Sequence, residues 1–73
     1  MEEYKLTLER AKELVTQIEN DKDDPELAHG KEDYLHEFFI ESCSQNLYTN
    51  KEIIKISKVI LETRKIDFPR WYA

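Results

Sequence analysis

The sequence is poor in cysteine, glycine and proline, with one, one and two of them among 73 residues. Because Cys43 has no second cysteine in the chain, an internal disulfide is excluded, and a lone thiol is typical of a reducing compartment. Scarce glycine and proline, together with abundant Glu, Lys, Leu and Ile, favour helices over strands and turns. The sequence therefore predicts an all-α protein, which we expect to be cytoplasmic.

Long apolar runs are also missing. No run reaches the roughly 18 apolar residues that a membrane-spanning helix needs. The amino-terminal residues are acidic and amphipathic, whereas a secretory signal has a basic start followed by an apolar segment. We therefore expect neither a membrane partner nor export.

The chain is short, and 73 residues correspond to one domain, residues 1–73. A hydrophobic core of this size supplies only ~3–5 kcal/mol of stability. Without a disulfide, stability can still be raised by close helix packing, by a bound metal or by a second copy of the chain. The last of these leads us to expect a homo-oligomer.

The net charge of −5 is unevenly distributed, since residues 49–73 carry +3 and the first 48 residues carry −8. An acidic balance makes nucleic acid an unfavourable default partner. The uneven distribution can steer the acidic part of one copy toward the basic part of another, or it can be a simple solvated surface. The sequence leaves both interpretations open.

Apolar periodicity predicts a small three-helix domain, with helices at about residues 2–19, 24–43 and 50–65. The apolar stripe of the first helix comprises Tyr4, Leu8, Ala11, Leu14, Val15 and Ile18. The second is expected to face the core with Leu27, Ala28, Leu35, Phe38 and Phe39. The third is predicted to be the most buried, touching both other helices or a second copy, because its apolar residues cover an arc of more than about 200°. Gly30 costs the second helix about 1 kcal/mol relative to Ala, and close helix approach or a kink are the candidate reasons.

Helix starts are indicated by local capping signals. Asp23 or Asp24 can cap the second helix, and Pro25 suits its first turn. Thr49 and Glu52 have the spacing of a capping box at the start of the third helix. These signals place both helix starts within a residue or two.

The carboxyl-terminal segment combines aromatic and basic residues. Phe68, Trp71 and Tyr72 are too apolar for a free tail, so we expect the tail to pack back on the helices. Stacking of Trp71, Tyr72 and Arg70 on a base or nucleotide is a less favoured interpretation. The candidate interaction residues are Lys51, Lys55, Lys58 and Lys65, which form a basic ridge, with Trp71 and Tyr72.

Both histidines lie in the second predicted helix together with carboxylates. Glu26, His29, Asp33 and His36 share an arc of about 80°, opposite the Leu and Phe face, so we expect them outside the core. Imidazole and carboxylate are ligands for zinc, manganese, iron and nickel. His29 and His36 are two turns apart, about 10 Å along the axis, so they cannot hold one ion together. A site would need further ligands from another helix or from a second copy; the alternative is a solvated or subunit-facing polar stripe.

Two segments resemble those of known short proteins. The segment DPELAHGKEDYL, residues 24–35, resembles a D-x-E-x-A-H-x-x-x-D-x-L pattern, and the closing RWYA resembles a K-W-Y-A ending. Both occur in short, acidic, uncharacterised proteins of bacterial and phage-like genomes. The resemblance implies that Glu26, His29, Asp33, Trp71 and Tyr72 belong to a shared motif, and it implies no particular activity.

The sequence favours a non-enzymatic protein–protein interaction or regulatory module that acts as a homo-oligomer, with no catalytic residues and no required cofactor. The alternative is a metal-binding protein or a metal-dependent enzyme. In that alternative Glu26, His29 and Asp33 are ligands of a divalent metal, and His36 binds a second ion or acts as a general base.

Overall fold

The computed structural model describes residues 5–69 of the chain. Three helices follow one another: α1 spans Leu8–Asn20, α2 spans Pro25–Ser44 and α3 spans Asn50–Leu61, with a 3-10 turn at Glu62–Lys65. The described residues contain no strand, which confirms the predicted all-α class and the three-helix architecture. The positions predicted for Tyr4, Trp71 and Tyr72 lie outside the described residues.

Helix α1 begins later than predicted. Thr7 has an extended backbone, and its hydroxyl accepts a hydrogen bond from the Arg10 N–H at 3.1 Å, which makes it the cap. Before the cap, the Leu6 N–H donates to the Ser42 hydroxyl at 3.0 Å, and the Leu6 carbonyl accepts from the Tyr48 hydroxyl at 2.6 Å. The predicted helix is therefore wrong for residues 5–7. The backbone groups of Leu6 bond to side chains distant in sequence and not to backbone groups of a helix.

The other two helices begin as predicted. The Asp24 carboxylate accepts from the Leu27 N–H at 3.3 Å, and Pro25 occupies the first helical position. Thr49 and Glu52 form the predicted capping box, in which each side chain accepts from the backbone N–H of the other residue. Local signals thus determine where α2 and α3 start.

The core lies between the three helices and is closed by residues outside them. Its buried apolar residues are Leu6, Ala11, Leu14, Ile18, Ala28, Leu35, Tyr48, Ile56, Ile60, Ile66 and Phe68. Ile66 and Phe68 follow α3, so the chain returns to the core after that helix, as predicted for Phe68. Burial of each large apolar side chain contributes about 1.5–3 kcal/mol.

Within the described chain α3 is not the most buried helix, and its contact with a second copy stays a prediction. Only Ile56 and Ile60 of this helix are buried, whereas Ile54 is 54% exposed and Leu61 is 52% exposed. Helix α3 packs mainly on α1 and touches α2 much less, so one part of its broad apolar arc has no covering helix within the described residues. The apolar arc of α3 therefore extends onto the surface.

The buried face of α2 also differs from the prediction. Ala28 and Leu35 are buried as predicted, but Glu32 and Ser42 share their face and Leu27 is nearly half exposed. The buried arc is therefore rotated away from Leu27 and toward the position of His29. A polar residue such as Ser42 enters this face because its hydroxyl binds Leu6 and also donates to the Phe38 carbonyl.

Candidate functional site

The structure places His29 at the edge of the core. Its side chain is 14% exposed, and its Nδ1 atom lies 3.6 Å from the Asp33 Oδ2 atom, one turn further along α2. His29 is therefore not one of the buried core residues, but the rotation of the buried arc of α2 toward it leaves its side chain largely shielded. The 3.6 Å separation fits an ion pair when His29 is protonated, but it is longer than a hydrogen bond.

The four predicted metal-ligating residues do not form one cluster within the described residues. Among residues 5–69, no group of three or more His, Cys, Asp or Glu side chains could hold a metal ion. His29 and Asp33 are close to each other, and Glu26 and His36 do not complete a group of three with them. A metal site on this face therefore requires ligands from beyond the described part of one chain, and it stays a prediction.

Helix α2 presents acidic side chains to solvent on its outer face. The acidic stripe, as we call it, covers an arc of about 100° on the helix. It consists of Glu26, Asp33, Glu37, Ile40 and Glu41. All five residues are exposed, and Ile40, at 65%, has the largest exposed fraction of the large apolar side chains in the described range. The aliphatic side chain of Ile40 is therefore exposed to solvent among carboxylates.

Helix α3 and the turn after it present the opposite charge. The basic stripe covers an arc of about 120°. It consists of Lys51, Ile54, Lys55, Lys58, Leu61, Glu62 and Lys65, and its one carboxylate, Glu62, pairs with Lys65 at 3.3 Å. All seven are exposed, which places the four predicted interaction lysines on one surface with the two uncovered aliphatic residues of α3. The sequence predicted the basic ridge but not the exposure of Ile54 and Leu61 beside it, because periodicity does not show which part of a broad apolar arc a neighbouring helix covers.

The charges of these two stripes are largely uncompensated within the described chain. Lys51, Lys55 and Lys58 have no carboxylate of residues 5–69 within 4.0 Å, and Glu37 and Glu41 have no cation within that distance. Helix α1 differs, since Arg10 pairs with Glu13 at 2.5 Å there. Like charges three or four residues apart on a helix cost about 0.2–0.5 kcal/mol per pair. The rows of like charge on α2 and α3 therefore carry repulsion.

A groove of about 540 Å³ runs between α1 and α2. Leu27, Gly30 and Tyr34 line its α2 side, and Arg10 and Gln17 line its α1 side. A Cβ atom at Gly30 would meet no other atom within 4 Å, so this glycine does not serve close packing within the described chain. The sequence offered two reasons for a glycine here, close helix approach and a kink. The open space excludes close approach of a helix from the described part of the same chain.

A polar cluster joins the segment before α1 to the α2–α3 loop. The Lys5 ammonium donates to Glu52 and to the Leu47 carbonyl, both at 3.2 Å, and lies 5.6 Å from the centre of the Tyr48 ring. The hydrogen bond from the Thr49 N–H, followed by that from Lys5, lowers the pKa of Glu52. Burial raises the pKa of Tyr48. The cluster is structural, and sequence reasoning missed it because its members are more than 40 residues apart.

Comparisons with protein families, with characterised proteins and with solved structures give no match for this chain. The resemblance of residues 24–35 and of the closing residues to short phage-type proteins stays a prediction. Within residues 5–69, no helix has both the length and the apolar character that crossing a membrane requires.

Proposed function

We propose that this chain is a non-enzymatic protein–protein interaction module that acts as a homo-oligomer. The observation that carries the proposal is the placement of exposed apolar side chains on two helices. Five large apolar residues are about half exposed or more: Leu27, Tyr34, Ile40, Ile54 and Leu61. Exposed apolar side chains that lie in line with charged ones are typical of protein–protein contact surfaces.

The size of the domain supports self-association. Part of the apolar arc of α3 is uncovered, so one copy leaves burial energy unused, at about 25 cal/mol for each Å² of apolar surface. A second copy that covers Ile54 and Leu61 would recover part of this energy. For a chain with a small core and no disulfide, such a contact is a large fraction of the total stability.

The finer parts of the proposal rest on the sequence. A regulatory role in the cytoplasm fits a lone, partly buried thiol at Cys43. An origin in a phage or mobile element rests on the resemblance of residues 24–35 and of the closing residues. Neither statement affects the test of self-association.

The first test is the mass in solution, by light scattering over a range of protein concentrations at low salt. We expect a mass above the 8.8 kDa of one chain. Ile54→Glu combined with Leu61→Glu should return the mass to that of one chain and keep the helical circular dichroism. Thr16→Glu, on the exposed face of α1, is the matched control and should leave the mass unchanged. A wild-type chain that stays monomeric at several hundred micromolar contradicts the proposal.

Metal binding is the second candidate function. The observation in its favour is the shielded position of His29, whose imidazole lies beside the exposed carboxylate of Asp33. Two copies meeting at this face would supply a second pair of such ligands, which together could bind one divalent ion.

Thermal unfolding of the metal-stripped protein tests this candidate with zinc, manganese, nickel and magnesium. At 100 times its dissociation constant a native-state ligand adds about 2.7 kcal/mol, which is a shift of many degrees for a small domain. The shift should be selective for one metal and should disappear in His29→Ala with Asp33→Ala. If none of the four ions raises the unfolding temperature, this candidate is wrong.

A further inference from the structure

We propose that the basic stripe of α3 docks on the acidic stripe of α2 in a second copy of the chain. This inference rests on the proposed self-association and specifies the two surfaces that meet. It commits to one occupant, a second copy, because each stripe offers the charge that the other lacks.

The separation of charge by helix is the first argument. Asp33, Glu37 and Glu41 follow one another at one-turn spacing on α2, so each carboxylate has a like-charged neighbour. Lys51, Lys55 and Lys58 repeat the arrangement with positive charge on α3. A helix that carries like charges in a row is destabilised when free, and an oppositely charged surface relieves that repulsion. Each stripe therefore favours the other as its neighbour.

The aliphatic residues within both stripes are the second argument. Ile40 is 65% exposed on the acidic stripe, and Ile54 and Leu61 are 54% and 52% exposed on the basic stripe. Charged rows that serve only solubility have no need of large aliphatic side chains. When the stripes meet, these residues leave water while the lysine stems lie over them and keep the ammonium groups at the rim. The contact would then have an apolar centre and a charged border.

The two stripes also match in length. Lys51 to Leu61 spans about 15 Å at 1.5 Å per residue, and the 3-10 turn to Lys65 adds about 8 Å at 2.0 Å per residue. Glu26 to Glu41 spans about 22 Å on α2. Two helix faces of this length form a contact at the small end of the range for specific interfaces. We therefore expect weak association that weakens further with salt, because exposed charges are screened over about 10 Å at 0.1 M.

Other surfaces of the described chain offer poorer complementarity to the basic stripe. The exposed side of α1 mixes signs, with Glu9, Lys12 and Glu13 close together. The groove beside Gly30 is lined by Glu26 and Asp24 but also by Lys31, whose ammonium binds Asp21 at 2.6 Å. Only α2 offers a row of exposed carboxylates without an intervening cation among the described helices.

Reciprocal charge reversal tests the proposal. The first variant is Lys51→Glu with Lys58→Glu, and the second is Asp33→Lys with Glu37→Lys. Each variant alone brings like charges together in every contact, so each should self-associate at least roughly ten-fold more weakly than the wild-type chain. An equimolar mixture pairs each reversed stripe with an opposite charge and should recover the wild-type mass. Light scattering at low salt measures all three samples.

The matched control is Lys12→Glu with Lys22→Glu on and just after α1. It changes the net charge by the same amount as the first variant but leaves both stripes intact, so it should keep the wild-type mass. Circular dichroism and the urea midpoint establish that each variant is folded. If Asp33→Lys disturbs folding through the loss of the His29 pair, Glu37→Lys with Glu41→Lys replaces the second variant.

The outcomes separate this inference from the function on which it rests. A monomeric wild-type chain overturns both. A wild-type oligomer whose mass survives the reversals, or a mixture that stays monomeric, overturns the docking of α3 on α2 and leaves self-association standing. Equal loss of mass in the α1 control also overturns the docking, since it assigns the effect to net charge. The proposal is supported only if each variant by itself loses mass and the equimolar mixture recovers the wild-type mass.

Discussion

At the scale of single residues, side chains distant in sequence bind both the N–H and the carbonyl of Leu6. The Tyr48 hydroxyl and the Ser42 hydroxyl bind them from positions 42 and 36 residues away in sequence. Leu6 is fully buried, so its carbonyl would lose a partner that water cannot replace if the Tyr48 hydroxyl were removed. The anchor therefore depends on side chains outside α1.

Tyr48→Phe should accordingly lower the free energy of unfolding by about 1–3 kcal/mol, because it leaves the buried Leu6 carbonyl without this bond. Urea denaturation measures the loss. Tyr34→Phe removes a hydroxyl from an exposed ring on α2 and is the matched control, with an expected change below about 0.5 kcal/mol. If both variants lose the same free energy of unfolding, the hydrogen bond from Tyr48 to Leu6 makes no measurable contribution to stability.

Glu52 should make stability depend on pH in the acid range. The Thr49 N–H and Lys5 lower the pKa of its carboxyl below the ordinary value of 4.5, so the unfolded chain binds the proton more readily than the folded one. Its contribution is therefore complete above pH 4.5 and is lost as the pH falls through the lowered pKa. Glu52→Gln retains an acceptor for the Thr49 N–H but does not titrate. Urea midpoints measured between pH 3 and pH 6 should fall less steeply in this variant, and parallel curves would contradict the assignment.

At the scale of elements, helix starts that depend on neighbouring residues could be predicted from sequence. Features that depend on contacts between distant residues could not. Asp24 with Pro25, and Thr49 with Glu52, lie within a few residues of the backbone groups that they cap, so the starts of α2 and α3 could be predicted from sequence. The start of α1 depends on Leu6, whose partners lie on α2 and in the following loop. The exposure of Ile54 depends on how α3 sits against its neighbours, which periodicity does not determine.

Gly30 gives a prediction at the same scale. A glycine inside a helix costs about 1 kcal/mol relative to alanine, and a Cβ atom at this position would meet nothing within 4 Å. Gly30→Ala should therefore raise the free energy of unfolding by about 1 kcal/mol, measured in urea at a protein concentration where the chain is monomeric. Ser57→Ala, in the interior of α3, is a comparison in which no such gain is expected, because Ser57 donates to the Ile54 carbonyl. A destabilised Gly30→Ala variant would mean that the open space beside this glycine is filled in solution.

For the whole molecule, a small core and uncompensated charge on two helices should make stability depend on protein concentration. If a second copy covers Ile54 and Leu61, association adds to the stability of the folded state by mass action, whereas an isolated domain unfolds at a temperature independent of its concentration. The unfolding temperature should therefore rise over a hundred-fold increase in protein concentration at low salt.

The rise should shrink at 0.5 M salt, because the stripes are exposed and their attraction is screened. It should also vanish in Lys51→Glu with Lys58→Glu, while Lys12→Glu with Lys22→Glu keeps it. Differential scanning calorimetry at matched concentrations gives both the temperature and its dependence on concentration. A rise that persists in high salt and in the first variant would contradict the docking of the basic stripe on the acidic stripe. In that case the charge pattern of α2 and α3 would govern solubility, and the uncovered apolar residues alone would hold the copies together.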